Sequence, residues 1–330
     1  MPAVVWSWPG TRILAAVVVL FAISPLIAPG SVGPIAIVSM LPFAALTAMV
    51  AMGQTLVIQQ GGLDLSIAGA VTLGALIAAK FGSDPAIGVA SAVVIAILAT
   101  SIVGVLSGLV IAVFDLPPLV VTIASNAIMI GVVQAVSGGF GAQSPEDLSS
   151  FALYRIADVV PVLAVIALAV VLVLQGVLKL TRIGRRFELV GENWKAARVI
   201  GIASRRYTVA AYWLSTLLAA SCGVLLAGLL RSPTLSAGDA YLLPSIAAVV
   251  LGGTALTGGR GSIVGTALGA LFLGQLGQLV QTFTQNTAVQ NIVQALIIGV
   301  GIVAQLQLGG STARLAGLVR RRNATTSTTP

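Results

Sequence analysis

The chain has 330 residues, of which 58% are hydrophobic and only 8% are charged, and its formal net charge is +8. A soluble domain carries charge on about a quarter of its residues, so this composition excludes an ordinary soluble protein and indicates an all-α integral membrane protein. One cysteine and no histidine exclude an internal disulfide, a zinc site with histidine ligands and histidine-based catalysis. We predict no catalytic residue and no metal site.

Apolar runs follow one another along most of the chain, and about twenty helical residues are needed to cross the hydrocarbon core of a bilayer. They predict about ten transmembrane helices: nine of them are at residues 13–28, 35–58, up to about 79, 86–113, 119–136, 159–178, 207–230, 242–256 and 290–306, and the ninth in chain order follows residues 252–262. Nine or eleven spans, or a re-entrant segment near residues 252–261, also fit the hydropathy.

The basic residues predict the orientation of these spans. Fourteen of the seventeen lie on one side of the ten-span arrangement: Arg12, Arg260, eight in residues 179–206 and four in residues 311–330. By the positive-inside rule this side is cytoplasmic, as are both termini. We therefore predict one transmembrane domain over residues 1–310 and a basic, disordered cytoplasmic tail over residues 311–330. Membrane orientation explains the charge, and no nucleic-acid partner is expected.

Residues 179–206, which we call the basic loop, contain a predicted helix of their own. Apolar and polar positions alternate over residues 191–201, as in a short amphipathic helix outside the bilayer. This is the only polar connection in which the sequence predicts a helix. Two interpretations fit it: a docking surface for a cytoplasmic partner, or a charged loop that only sets the topology.

Polar residues and glycines interrupt the spans at residues 59–66, QQGGLDLS. We expect Asp64 or Ser66 to cap the helix that follows. Gly61, Gly62, Asp64 and Ser66 form either a hinge beside the transport pathway or a structural helix break. Elsewhere, two glycine sets at helical spacing predict close helix crossings: Gly104 with Gly108, and Gly261 with Gly265 and Gly269. Residues 252–262 lack the lysine of a phosphate-binding loop.

Neutral amide side chains occur within the predicted spans, at Gln54, Asn126, Gln134, Gln275, Gln278, Asn291 and Gln294. Amides suit uncharged solutes rich in hydroxyl groups, and all of these except Gln275 are our candidates for the solute pathway. The alternative is that they form hydrogen bonds between helices. No ionisable residue lies deep within a predicted span, which argues against ion-coupled transport.

Three stretches resemble one known family. MGQTLVIQQGGLDLSIAGAV, GENWKAARVIGI and GDAYLLPSIAAVVLGGTALTGGRGSIVGTALGAL are similar, in this order, to segments of ribose-type permeases. Those proteins are the membrane subunits of ATP-binding-cassette importers for monosaccharides and related polyols. The resemblance extends over about residues 48–306.

The resemblance implies a site and partners. Ala196, Ala197 and Gly201 match the Ala-Ala-x-x-x-Gly pattern of loops that dock on the ATPase, with Lys195 where the pattern favours Glu; Glu192 and Arg198 complete the predicted ATPase-coupling set. ATP with Mg²⁺ would be bound by a separate cassette ATPase, so no cofactor is expected here. The resemblance further implies an external sugar-binding protein, a homodimer or a heterodimer with a sister permease, and the bacterial inner membrane.

Three other functions remain open. A branched-chain amino-acid permease of the same importer class would carry a zwitterionic solute. A secondary transporter or channel would work without an ATPase. A membrane-embedded enzyme is the least favoured of the three, because the chain lacks histidine and its few acidic residues lie at the predicted ends of loops.

Overall fold

The computed structural model describes residues 9–284 and, beyond them, residues 286, 288, 289, 292, 295, 296 and 299. Its elements in chain order are α1 (Pro9–Ile27), α2 (Pro34–Gln59), α3 (Ile67–Gly82), α4 (Val89–Phe114), α5 (Pro118–Ser137), α6 (Glu146–Leu153), β1 (Arg155–Ile156), β2 (Val160–Pro161), α7 (Val162–Leu180), α8 (Arg182–Glu192), α9 (Trp194–Val199), α10 (Ser204–Leu230), α11 (Asp239–Leu251) and α12 (Ile263–Phe283). The two strands form one short antiparallel pair. The chain divides into two compact units, Met1–Leu279 and Val280–Pro330.

Nine of the predicted spans are helices in the structure. Among the described residues, seven helices are long and apolar enough to cross a membrane, and two apolar helices, α3 and α11, are shorter. Of the predicted tenth span only residues 292, 295, 296 and 299 are described, and the tail at 311–330 lies outside the described residues. The chain is therefore a multi-pass helical membrane protein.

Helix α10 is the centre of the bundle. Of its most apolar stretch 67% is buried, whereas only 17% of the corresponding stretch of α7 is buried, so α7 lies at the outside of the bundle. On α4, Gly104 and Gly108 lie directly against α10: a methyl group on Gly108 would stand 2.8 Å from the Cα atom of Val209. The predicted close crossing at this pair is confirmed.

Helices α11 and α12 also cross closely through glycines. A methyl group on Gly265 would overlap the carbonyl oxygen of Gly252, and one on Gly269 would overlap that of Ala248. Gly261, the third predicted member of this set, precedes α12 and lies against the side chain of Gln59 instead. The set therefore makes one helix crossing and one loop contact.

The connection between α5 and α7 contains a helix that the sequence analysis did not predict. Helix α6 begins with Glu146 and Asp147, which suit the positive end of the helix dipole. Its Leu148 and Ala152 are buried against Gly228 of α10. The prediction that only the basic loop holds a helix outside the spans was therefore wrong, because the burial that stabilises α6 is tertiary.

The connections gather at two ends of the bundle. At one end, the end of α2, the turn between α4 and α5, the basic loop and Thr257 line one cavity of about 770 Å³. At the other end, Ser83 donates to the carbonyl oxygen of Gln143 at 2.9 Å, and the N–H of Ser144 donates to that of Arg231 at 2.7 Å. We call the first the basic-loop end.

Candidate functional site

The basic loop folds as two helices joined at one residue. The side chain of Thr181 caps α8 by accepting from the N–H of Gly184 at 3.1 Å. Asn193 ends α8 and begins α9, because its backbone is extended and its Oδ1 accepts from the N–H of Ala196 at 3.0 Å. The single helix predicted over residues 191–201 is thus corrected to the last turn of α8, a cap at Asn193, and α9.

Helix α9 has one buried residue and an otherwise exposed surface. Ala197 is buried, whereas Ala196, Lys195 and Arg198 are exposed. Val199 and Ile200 are 87% and 69% exposed, and the Lys195 ammonium lies 5.8 Å from the centre of the Trp194 ring. The surface thus combines apolar and cationic groups. We call these exposed residues Trp194, Lys195, Ala196, Arg198, Val199 and Ile200 the α9 surface.

A tight turn returns the chain from α9 to α10. Gly201 has a φ of +82°, and its N–H donates to the carbonyl oxygen of Arg198 at 3.1 Å. The hydroxyl of Ser204 donates to the carbonyl oxygen of Trp194 at 3.2 Å. The left-handed backbone at Gly201 is favourable only for residues such as glycine, so this position fixes the direction of α9.

The base of the basic loop rests on the end of α2. The Gln60 amide donates to the carbonyl oxygen of Phe187 at 2.9 Å, and a methyl group on Gly191 would overlap the carbonyl oxygen of Gln59. Phe187 also makes an edge-on contact with the ring of Tyr207, with the ring centres 6.4 Å apart. Helix α8 is therefore fastened to both α2 and α10.

Residues 60–66, which we call the helix break, begin where α2 ends and contain a completely buried carboxylate. Asp64 accepts from the N–H and the hydroxyl of Ser66 at 3.0 and 2.5 Å, and from the hydroxyl of Ser215 on α10 at 2.7 Å. Burial raises the pKa of the Asp64 carboxyl above its usual value of 3.8, and these hydrogen bonds act in the opposite direction. Asp64 therefore fastens the helix break to α10.

The predicted cap of α3 by Asp64 or Ser66 was wrong. Ser66 occupies the N-cap position, but its side chain accepts no hydrogen bond from α3. Instead Oδ1 of Asn126 on α5 accepts from the N–H of Gly69 at 2.7 Å. The carboxylate of Asp64 is occupied by Ser215, so a neighbouring helix supplies the acceptor.

Two glycines of the helix break differ in their surroundings. Gly61 has a φ of +78° and a methyl group added to it would meet open space, whereas a methyl group on Gly62 would overlap the hydroxyl of Tyr212. The backbone of the break therefore passes directly over α10 at Gly62.

The amide residues proposed for the solute pathway occupy different environments. Gln54 is completely buried, and neither polar atom of its side chain has a hydrogen-bond partner among the described residues. Asn126 is half-buried and caps α3, while Gln134 is exposed and Gln278 is half-buried. Asn291 and Gln294 lie outside the described residues. Gln275 donates to Ser24 at 3.0 Å and so links α12 to α1.

A comparison with protein-family models identifies the family of this chain. The model described as "Branched-chain amino acid transport system / permease component" matches residues 36–302. The chain belongs to this permease family. The match includes the helix break, the basic loop and the α11–α12 crossing.

Curated relatives cover almost the same range. The permease is 31% identical over 290 residues to the ribose import permease RbsC of Bacillus subtilis (strain 168), covering 86% of this chain and 89% of that one. It is 33% identical to RbsC of Escherichia coli (strain K12), over 86% and 90% of the two chains. It is 30% identical to the autoinducer 2 import system permease LsrD of Photorhabdus luminescens, over 78% and 79%. No solved structure matches.

Some residues of this permease site had no signal in the sequence. Nothing in the sequence linked Gln59 and Gln60 to Gly191, which lie in separate segments. Arg260 resembled any basic residue in a loop. Their contacts join residues more than sixty positions apart, which periodicity cannot detect. The burial of Asp64, which lies in the helix break between α2 and α3, also had no signal in the sequence.

Proposed function

We propose that this permease is the membrane-spanning subunit of an ATP-binding-cassette importer that translocates a monosaccharide or related polyol. An external binding protein delivers the solute, and ATP with Mg²⁺ is hydrolysed on a separate cassette ATPase. The ribose import permeases among the relatives support the solute class. The observation that carries the coupling role is the α9 surface, which is exposed on a loop that is fastened at its base.

The ATPase is the proposed occupant of the α9 surface. Val199 and Ile200 are large apolar side chains outside the apolar spans, and burial against a protein would remove them from water. Lys195 and Arg198 stand beside them and favour acidic residues on the partner. Glu192, Ala196, Ala197 and Gly201 act by shaping and orienting this surface.

The proposed topology has about ten spans with both termini in the cytoplasm of a bacterial inner membrane. The basic loop and the α4–α5 turn lie at one end of the bundle, and the connection containing α6 lies with Arg231 at the other end. This grouping supports the cytoplasmic and external sides that were assigned from charge. Residues 1–310 form the permease domain in this proposal, and residues 311–330 its basic tail.

Gln54 is the strongest candidate for the solute pathway. A buried amide without a partner costs free energy, and a conformation that offers it a sugar hydroxyl or water recovers that cost. Asn126, Gln134, Gln278, Asn291 and Gln294 complete the proposed set. Gly61, Gly62, Asp64 and Ser66 form the hinge beside it.

The remaining assignments concern partners. We propose that the permease pairs with a second copy or a sister permease, as the resemblance to ribose-type importers implies. A branched-chain amino-acid solute is disfavoured, since the similar curated relatives are named for ribose and autoinducer 2. A self-sufficient secondary transporter would need no ATPase at the α9 surface.

One experiment separates these functions. The permease is purified from its native membrane in mild detergent, co-purifying proteins are identified, and uptake is measured in proteoliposomes with and without ATP. We expect a stoichiometric cassette ATPase and ATP-dependent uptake that ribose-like solutes compete with and leucine does not. Uptake by the chain alone, without ATP and abolished by an ionophore, contradicts the proposal.

A further inference from the structure

Three segments that are distant in sequence meet at the basic-loop end. They are the end of α2 at Gln59, the joint between α8 and α9 at residues 191–193, and residues 252–262, which we call the glycine loop. The N–H of Gly259 donates to the carbonyl oxygen of Gln59 at 2.9 Å. A methyl group on Gly191 would overlap the same oxygen. One carbonyl of α2 is therefore enclosed by the other two segments.

The glycine loop also contacts the helix break. Gly258 and Gly259 have φ values of +89° and +93°, which turn the loop back toward α2. A methyl group on Gly258 would stand 3.1 Å from the Cα atom of Gly61. The glycine loop thus contacts both the last residue of α2, Gln59, and Gly61 in the helix break that follows.

An ion pair connects the glycine loop to the basic loop. The Arg260 Nε lies 2.8 Å from Oε1 of Glu192, with side-chain exposures of 88% and 43%. Pairs this exposed contribute little stability, so the backbone contacts hold the junction and the ion pair orients it. Glu192 is the last residue of α8, directly before the cap at Asn193, so its position sets the direction in which α9 leaves.

We propose that the glycine loop positions α9 and passes the movement of α9 to the helix break. Arg260 is a positioning residue: through Glu192 it sets the angle of α9, while the Gly259–Gln59 hydrogen bond ties that angle to the end of α2. The inference rests on the proposed function, because it requires an ATPase that moves α9. The cavity of about 770 Å³ beside α9 gives that movement space.

Charge variants of the complete importer test the ion pair. Arg260→Glu and Glu192→Arg each replace attraction by repulsion, and we expect each to lower solute uptake per ATP hydrolysed by up to about fivefold. The double variant restores the opposite charges in reverse order and is expected to recover most of the loss. ATPase retention on the permease is measured in parallel, since a positioning role leaves docking largely intact.

A steric variant tests the backbone contacts. Gly191→Ala forces its methyl group against the Gln59 carbonyl and separates the segments, so we expect a larger loss of uptake per ATP than for the charge variants. Gly176→Ala on α7 is the matched control, because its surroundings are open, and it should behave as wild type. Elution from size exclusion and melting temperature show whether each variant is folded.

The outcomes separate the inference from the proposed function. If the wild type needs ATP and retains the ATPase, but both single charge variants keep normal uptake per ATP, the inference is overturned and the function stands. Failure of the double variant to recover also overturns it. If the wild type retains no ATPase and transports without ATP, both are overturned.

Discussion

Oδ1 of Asn126 on α5 lies 2.7 Å from the backbone nitrogen of Gly69 on α3. Gly69 is in the first turn of α3, where the N–H groups have no partner within the helix. A methyl group at Gly69 would stand 2.8 Å from that same oxygen, so the glycine makes the approach possible. A neighbouring helix thereby performs the capping that the chain's own Asp64 and Ser66 do not.

Removing this cap is expected to destabilise the permease. Asn126→Ala leaves the Gly69 N–H unpaired and should cost about 1 kcal/mol, whereas Asn126→Asp keeps an acceptor and should cost less. Gln134→Ala, on the exposed face of α5, is the control. Thermal unfolding in detergent measures all three, and equal melting temperatures for Asn126→Ala and Gln134→Ala would contradict the assigned cap.

Asp64 gives the stability a dependence on pH. Its pKa is raised in the folded state, so its contribution to stability is greatest at low pH and is lost as the pH rises through the folded pKa. Asp64→Asn keeps an acceptor for Ser66 and does not titrate. We therefore expect wild type to gain melting temperature relative to Asp64→Asn as the pH falls from above the raised pKa of Asp64 toward its usual value of 3.8; a difference that does not change with pH would refute this.

We expect Gln54 to lower the stability of the folded permease and to be needed for solute uptake. Gln54→Leu removes two buried polar atoms that have no partner among the described residues, so it should raise the melting temperature while lowering solute uptake. Gln275→Leu is the comparison, because its amide donates to Ser24 and its loss should destabilise. Normal uptake by Gln54→Leu would remove this residue from the pathway.

Gly201 should be sensitive to backbone strain rather than to crowding. A side chain there meets no atom within 4 Å, but φ is +82°, so Gly201→Leu is expected to cost about 1–2 kcal/mol locally and to misdirect α9. We predict ATP hydrolysis uncoupled from uptake, with membrane insertion unchanged. Gly201→Asn tolerates this backbone better and should be milder. Uptake by Gly201→Leu at the wild-type level would disprove the role of the turn.

The α9 surface should determine ATPase affinity. Val199→Glu replaces an 87% exposed apolar side chain with a charge, and we expect ATPase binding to weaken about tenfold, in line with the burial of one valine. Phe140→Ser, at a residue 79% exposed in the connection after α5, is the control. Binding is measured by titrating purified ATPase; equal affinities for the two variants would show that the ATPase docks elsewhere.

Much of the architecture could be predicted along the chain. Bilayer thickness imposes long apolar runs, so nine helices were predicted, although α11 ends at Leu251, five residues before the predicted end of that span. Gly104 and Gly108 correctly predicted a helix crossing, because small residues at helical spacing let two helix backbones approach each other closely. Helix α6 could not be predicted, because Leu148 and Ala152 are stabilised by contact with Gly228, nearly eighty residues away.

The sequence by itself determined the composition, the periodicity and the local motifs, and hence the membrane class, the helices and the position of the basic loop. Only the tertiary structure decided which polar groups are partnered. Asp64 bonds to Ser215 instead of capping α3, Asn126 supplies that cap, and Gly259 and Gly191 meet at one carbonyl of Gln59. The physical reason is that hydrogen bonds and close backbone contacts depend on distances of a few ångströms, which the packing of distant helices sets.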